Sequence, residues 1–293
     1  MEEKIVEKHI SPFNARQTMN CRDFEIFHRC DMQLEHISLH HHDFYEIYFY
    51  LRGEVSYQIE NRNYPLMPGD LLLVSPNELH QVLINPPSGP YERILLWLDR
   101  HYLKELSHHT GLNLGACFDT TLRGHTNLIR LTLQERELLL DLANILLGEQ
   151  NSQQYGQEAM RRSGMSQLMI MINRLTTASR RDPVPDEEHD PLIDKVFDFI
   201  NDHIGEDLSL ERLEDIFFFD SGTLTRRFKK QIGDTISQYI RKKRLNIAKN
   251  LLSEGSPPIE VYAQCGFVDY SGFFRAFKLQ YGMSPKEFVK TKI

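Results

Sequence analysis

The spacing of apolar residues changes character along the chain. Between residue 25 and about residue 99 they fall in short runs, at 45–51, 54–59, 70–74 and 94–98, with Arg52-Gly53, Asn61-Arg62-Asn63 and Pro68-Gly69-Asp70 between them. Runs of this length, separated by turn residues, predict an antiparallel sandwich or barrel. From residue 133 the period lengthens to that of a helix. Leu138, Leu142, Ile145 and Leu146 stripe one helix over 133–147, and Leu168, Ile172 and Leu175 a second over 166–175. The polar, glutamine-rich stretch 148–164 reads as a loop and helix start. Residues 180–190 combine prolines and charges without an apolar period, as a linker does. Helical spacing then resumes, with Val196, Phe197, Ile200 and Ile204 on one helix and Leu210, Leu213 and Phe217 on the next, behind Ser209 as N-cap. Asp220 or Ser221 caps a further helix, and a long one follows over 235–252.

The last hundred residues repeat themselves. The stretch Leu224-Thr225-Arg226-Arg227-Phe228-Lys229-Lys230-Gln231-Ile232-Gly233 returns 49 residues later as Phe273-Phe274-Arg275-Ala276-Phe277-Lys278-Leu279-Gln280-Tyr281-Gly282, with Arg, Phe, Lys, Gln and Gly in register. Such a period marks a duplicated supersecondary unit. Apolar residues at i, i+4 and i+8 define one helical face in each copy, Arg226 and Arg275 lie off it, and the closing glycine suits a left-handed C-cap. Each copy follows a short helical pattern and a tight turn. Two helix–turn–helix units, each with an arginine on the free face of its second helix, point to a double reader of DNA major grooves.

Charge supports that reading once it is resolved along the chain. The net formal charge is −7, yet residues 222–293 carry 14 Lys/Arg against 5 Asp/Glu. A basic excess on one segment is what phosphate contacts require. At 293 residues, with 41% hydrophobic and 26% charged content, the chain has the composition of a two-domain soluble protein. No apolar run approaches a bilayer span, and Met1-Glu2-Glu3-Lys4 does not open like a signal peptide, so no membrane partner and a cytoplasmic location are expected. Cys21, Cys30, Cys117 and Cys265 form no CxxC pair, which argues against a zinc knuckle or disulfide framework. The fold expected is α+β: an N-terminal arm and antiparallel β-barrel over 1–132, appended helices over 133–179, a linker over 180–190, and an all-α domain over 191–293.

Candidate chemistry in the β-rich part centres on His40-His41-His42-Asp43-Phe44-Tyr45-Glu46 and on Gly69 to His80. In an unbroken strand, parity puts His40, His42, Glu46 and Tyr48 on one face and Ile47, Phe49 and Leu51 on the other. The two segments resemble the paired motifs of the cupin superfamily: His40, His42, Glu46 and Gly53 match the first throughout. The second keeps Gly69 and His80 but has Ser75 and Asn77 where that family usually has Pro and Gly. The resemblance implies one of two things: His40, His42, Glu46 and His80 hold a divalent metal, or these residues and Tyr48 form a polar pocket that orients a small molecule such as a sugar. Trp97 and Tyr48 either stack on such a ligand or belong to the core.

From residue 192 to 289 the chain resembles the DNA-binding domain of the AraC/XylS family of transcription regulators, through the repeated R-x-F-K-x-x-x-G, Gly266-Phe267 and Tyr281-Gly282-Met283-Ser284-Pro285. That resemblance implies a seven-helix domain and a ligand-responsive regulator that binds promoter DNA, senses a small-molecule effector and, if an activator, meets RNA polymerase. It puts base contacts at Gly222, Thr225 and Arg226, beside Ser221, and at Tyr270, Ser271, Phe274 and Arg275. Lys229, Lys230 and Lys278 read as phosphate contacts, and Phe228, Phe267 and Phe277 as core. The helices of 133–175 serve either to cover the barrel or to form a homodimer, the arrangement such regulators commonly use. Glu214, Phe218, Pro258 and Tyr262 depart from the family pattern and are expected to alter interhelical angles. Two alternatives stand beside a ligand-controlled regulator without catalytic residues: a metal-dependent cupin enzyme or metal sensor with a DNA-binding tail, and a regulator without ligand control.

Overall fold

In the computed structural model, residues 18–32, 39–76, 78–84, 90–122, 125–177 and 190–291 are described. Most of the arm, Asn77 and residues 180–189 of the expected linker lie outside that set. The chain divides into two units, residues 1–185 and 186–293.

The first unit contains β1 (Phe24–Asp31), β2 (Tyr45–Arg52), β3 (Val55–Ile59), β4 (Arg62–Pro65), β5 (Asp70–Val74), β6 (His80–Ile84), β7 (Tyr91–Leu98), α1 (Arg100–Thr110), β8 (Leu128–Arg130), α2 (Leu133–Glu149) and α3 (Gln157–Thr177). The strands form two sheets, in the orders β1-β7-β2-β5-β8 and β4-β3-β6, and their pairings are antiparallel. The expected barrel is therefore open. Large rings, among them Tyr48, Tyr57, Tyr64 and Tyr91, fill the space between the sheets. They hold the sheets at side-chain rather than hydrogen-bonding distance. Among the described residues, one isolated antiparallel bridge, between His40 and His80, stitches the segment before β2 to the start of β6.

Strand parity behaves as the alternation predicts. Ile47 and Phe49 face a core shared with α2 and α3, whereas Tyr48 and Tyr50 face the other sheet. β5 is buried on both sides, Leu71 and Leu73 joining the first core and Leu72 and Val74 the second. That is why it reads as an unbroken apolar run.

The helices differ from expectation in two ways. On α2 the buried line is Leu139, Leu142, Ala143 and Leu146, so Leu138 and Ile145 remain 45% and 41% exposed. Thr132 and Glu135 close a capping box that fixes where this helix starts. α3 begins at Gln157, inside the stretch read as loop and helix start and ahead of the apolar stripe that begins near residue 166. Its first turns bury no apolar stripe. They rest instead on polar contacts: Gln157 to the Glu149 carbonyl, Arg162 to Glu158 one turn back, and Arg161 to Asp23. Hydrophobic periodicity has nothing to detect there.

The second unit contains α4 (Pro191–Asp202), α5 (Leu210–Phe217), α6 (Ser221–Ile232), α7 (Ile236–Ser253), α8 (Pro258–Gln264), α9 (Tyr270–Tyr281) and α10 (Pro285–Thr291). Side chains of Asp190, Ser209, Asp220, Thr235 and Asp269 cap α4, α5, α6, α7 and α9, each accepting from a backbone N–H of the first turn. Gly233 and Gly282 end α6 and α9 at φ 92° and 72°, the left-handed conformation expected of them. α7 serves two cores. Its Tyr239 ring packs 5.4 Å from Phe197 and 5.5 Å from Phe228, while Leu245, Ala248 and Leu252 pack with Val261, Phe273, Phe277 and Phe288. Among the described residues, no helix is long and apolar enough to cross a membrane.

The departures from the family pattern are accommodated locally. Pro258 takes a first-turn position of α8, where a missing N–H costs nothing. Tyr262 packs its ring 5.9 Å from Tyr270. Phe218 is the strained one: it caps α5 at φ 57° with its side chain 89% exposed. A Cβ in the left-handed region is unfavourable, and no burial compensates for it. Phe218→Gly should therefore stabilise the protein, by about 0.5–1 kcal/mol after the extra flexibility of glycine in the unfolded chain is counted, read as a higher urea midpoint.

Candidate functional site

Two surfaces follow from this architecture, one inside the first unit and one on the second. The inner one forms because the His40–His80 bridge brings the loop before β2 against the first residue of β6, with backbone hydrogen bonds of 3.0 and 2.8 Å in the two directions. The imidazoles of His40 and His42 then lie 4.4 and 4.7 Å from that of His80, centroid to centroid. β2 itself starts only at Tyr45, so the strand is not continuous from His40, yet Glu46 arrives beside His42, Oε2 to Nε2 3.5 Å. Tyr57 donates to Glu46 Oε1 at 3.0 Å and Trp97 Nε1 donates to Oε2 at 2.8 Å. Tyr48 is hydrogen-bonded elsewhere. Its hydroxyl bonds that of Tyr91, and its ring lies 5.0 Å from Tyr57.

The electrostatics of this cluster are those of a desolvated charge with several partners. Burial alone would raise the Glu46 carboxyl, but the adjacent His42 imidazole, with His80 and His40 beyond it, outweighs burial and holds the carboxyl at about 2. Burial pushes His80 well below the ordinary histidine range, toward the neutral ring. Burial also drives the Tyr48 and Tyr57 phenols well above their usual range, so both remain hydrogen-bond donors.

Ring orientation adds a constraint. His42 Nδ1 faces the Phe44 carbonyl at 2.8 Å and His80 Nδ1 faces the Glu78 carbonyl at 2.9 Å. A carbonyl only accepts, so both Nδ1 atoms carry the proton. The two buried Nε2 atoms have no hydrogen-bond partner, and together with a Glu46 oxygen they lie within 4.8 Å of one another. Nδ1 pinned to a carbonyl with Nε2 turned inward is how metal-bound histidines are oriented, so these three residues fit a divalent ion. His40 stands beside that trio without belonging to it. Sequence reasoning singled out the histidines, Glu46, Tyr48 and Trp97. It missed Tyr57, Tyr91 and the buried Arg93, whose guanidinium bonds Asp31 and lies over the Tyr91 ring. The signal was available: Tyr91, Arg93 and Trp97 share one parity on β7, and Trp97 is in register with Glu46.

The outer surface is built on α6 and α9. Leu224, Phe228 and Ile232 are fully buried, as are Phe273 and Phe277, while Phe267 is half-buried. Helical spacing then turns Gly222, Arg226, Lys229 and Lys230 outward on α6, and Ser271, Arg275 and Lys278 outward on α9. Ser221, Thr225, Tyr270 and Phe274 flank these faces and are half-buried. Arg227, next to Arg226, does something else. Its Nε and Nη2 each donate to Asp190 at 2.6 Å, tying α6 to the start of α4. Glu214 accepts from the Ser221 backbone N–H, so the carboxylate that stands where a small residue was expected fixes the start of α6 against α5. Acidic charge at a helix N-terminus is favourable.

A tandem helix–turn–helix unit with paired basic outer faces, preceded by a two-sheet unit with a polar interior, defines a DNA-binding transcription regulator with a ligand-binding domain. Residues 23–213 match the family model described as the AraC-like ligand binding domain, and residues 214–291 match a helix-turn-helix domain. The chain belongs to the AraC/XylS family of transcription regulators. It is 25% identical over 252 residues to the HTH-type transcriptional activator RhaS of Enterobacter sp. (strain 638), covering 85% of this chain and 86% of that one. The probable transcriptional regulator LumQ of Photobacterium leiognathi is 37% identical over 91 residues, 31% of this chain and 37% of its own. The xylose operon regulatory protein of Haemophilus influenzae is 25% identical over 217 residues, 67% of this chain and 55% of its own.

Hydrogen bonds from Arg227 hold the Asp190 carboxyl below the usual carboxylate range. A lowered folded value means that the pair stabilises above the unfolded carboxyl range, about pH 4, and that this contribution is lost as pH falls through the lowered value. Arg227→Ala should therefore lower the thermal midpoint at pH 7, whereas Arg226→Ala should not. The gap between wild type and Arg227→Ala should close on acidification below about pH 4.

Proposed function

We propose that this chain is a ligand-responsive, sequence-specific regulator in which α6 and α9 read adjacent major-groove segments of promoter DNA, while the polar interior of the first unit binds a small effector. The observation that carries the DNA half of this reading is the coincidence of two basic faces on equivalent helices, each capped by an aspartate and closed by a left-handed glycine. On these faces Arg226 and Arg275 are suited to guanine, Thr225, Tyr270, Ser271 and Phe274 to flanking contacts, and Lys229, Lys230 and Lys278 to phosphates. Gly222 offers close backbone approach, with Ser221 at the start of its helix. Exposed Leu138 and Ile145 on α2, with exposed Met160 on α3, support a homodimer through these helices. Binding of the partner polymerase belongs to this reading only if the protein activates.

Arg226→Ala should cost about 1–3 kcal/mol in specific binding, while Lys230→Ala should weaken all DNA alike and flatten the salt dependence by about one ion. Fluorescence anisotropy with selected and with scrambled duplexes at several salt concentrations checks both. Equal loss on both duplexes in Arg226→Ala would demote that residue to a phosphate contact.

For the effector, the ring nitrogens of His40, His42 and His80 and the ionised Glu46 offer polar partners suited to hydroxyl-rich molecules, with Tyr48 and Tyr57 behind them. The xylose operon regulatory protein among the relatives supports a sugar. A second reading, a divalent ion on His42, Glu46 and His80, is favoured by the two unpartnered Nε2 atoms. Bound there, an ion would supply a local positive charge to the ionised Glu46. Trp97 is the chain's single tryptophan and donates to Glu46, so its emission reports on the cluster. We expect D-xylose or another pentose to shift that emission and His80→Ala to abolish the shift, with chelator leaving DNA binding intact. Loss of DNA binding on chelation, restored by Zn(II) or Ni(II), would favour the ion instead.

A further inference from the structure

The basic run Arg241-Lys242-Lys243-Arg244 on α7 is not a uniform charged face. Lys242 pairs with Asp234 at 2.7 Å, and Lys243 lies 5.9 Å from the centre of the Tyr239 ring. Arg244, on the same helix, reaches the turn after α4: Nε donates to the Ile204 carbonyl at 2.9 Å and Nη2 to the Glu206 carbonyl at 2.5 Å. Arg212 of α5 holds the same turn, donating to the Asp207 carbonyl at 2.6 Å and to the Glu206 carboxylate at 2.8 Å.

The other side of this turn meets the second helix–turn–helix unit. Gly266, in the turn between α8 and α9, sits at φ 79°, and a Cβ there would stand 2.7 Å from the Ile204 oxygen and 2.9 Å from the Arg244 guanidinium. A Cβ on Gly205 would stand 3.3 Å from the Gln264 carbonyl. Two glycines thus let the two units approach to backbone distance, with one guanidinium between them. Otherwise the larger packings among the described residues are of α6 on α4, α5 and α7, and of α8, α9 and α10 on α7, with α9 also on α8 and α10. A single helix shared by two cores leaves the angle between the units to be fixed by something else.

We propose that Arg244, seated between the Ile204–Glu206 turn and Gly266, is a positioning residue that fixes α9 relative to α6 and thereby sets the spacing at which two DNA half-sites must be presented. The proposal rests on the reading that both helices enter the major groove. A change of one base pair between half-sites moves the second by about 3.4 Å along the duplex and about 35° around it. A rigid pair of helices rejects that change; a loose pair follows it. Arg244 does not itself read bases, because both of its bonds go to protein carbonyls.

The test uses the full chain and a duplex pool of random sequence. Selection with wild-type protein should return a two-block motif of fixed interval. Duplexes with the interval changed by one and two base pairs, and a duplex with one block alone, are then compared for wild type, Arg244→Met and Arg244→Lys. For wild type, one added base pair should weaken binding about tenfold or more. For Arg244→Met that penalty should shrink to about two- to threefold, while affinity for the single block stays within about twofold of wild type. Arg244→Lys, which keeps the charge but reaches one carbonyl at a time, should fall between, and it carries the test if Arg244→Met does not fold. An unchanged interval penalty in the variants overturns the positioning role while leaving the two-helix reading intact. A single-block motif, or none, from wild-type protein overturns that reading and this inference with it.

Discussion

The first unit is organised around the cost of a buried carboxylate. Glu46 is 5% exposed between two β-sheets, where an unpaired charge would not survive ionised. Everything adjacent answers that cost. Tyr57 comes from the second sheet, Trp97 from the neighbouring strand β7, and His42 from the loop before β2, each with a polar hydrogen or a ring nitrogen turned to one of the two oxygens. His80 closes the set because the His40–His80 bridge ties the two sheets at that corner. The same bridge that makes the interior polar thus keeps two otherwise separate sheets in register. Removing Glu46 would leave the donors of Tyr57 and Trp97 without their acceptor, and buried donors left unsatisfied are costly in their own right.

Much of this was legible from the residues, and the reasons for the remainder are specific. Strand alternation placed Ile47 and Phe49 against one core and Tyr48 against another because the period of a strand is fixed by its pleat. The open sandwich was not distinguishable from a closed barrel, since alternation reports which face is buried and not which edges pair. The first turns of α3 fall in the stretch read as loop and helix start, and their boundary was not legible because polar contacts to Glu149, Asp23 and Glu158 replace an apolar stripe. On α2 the pattern Leu138 to Leu147 is so rich in leucine that periodicity allowed two neighbouring stripes. Packing against α3 selected the one through Leu139, where Gly164 lets the helices approach near Leu146.

The candidate sites divide in the same way. On α6 and α9 the apolar face is short and unambiguous, so the outward direction of Arg226 and Arg275 follows from the sequence alone. The different role of Arg227 does not, because Asp190 lies far from it in the chain and only the fold brings them together. In the first unit the motif spacing identified the histidines, whereas Tyr57 and Arg93 sit in strands that carry no motif. Glu214 shows a third case. A departure from the family pattern looked disruptive by size, yet its carboxylate accepts from the Ser221 N–H, one of those that every helix start leaves unpaired, and the turn is kept.

For the second unit, the physical question is how two modest contacts become one specific one. If α6 and α9 each enter a major groove, each alone offers a few side chains, and a single arginine–guanine pair is worth about 1–3 kcal/mol of discrimination. Held rigidly, the second helix binds as an intramolecular event and forfeits little further translational or rotational freedom. Each degree of slack between the units returns part of that advantage and lets wrong intervals compete. α7 carries both cores, and what is packed on one helix alone can still rotate about it. A guanidinium that satisfies two carbonyls at the end of one unit, against a glycine that permits no side chain in the other, removes that freedom at small cost in sequence. On the proposed positioning role, specificity for an interval would be encoded away from the base-reading faces, in Arg244, Gly205 and Gly266.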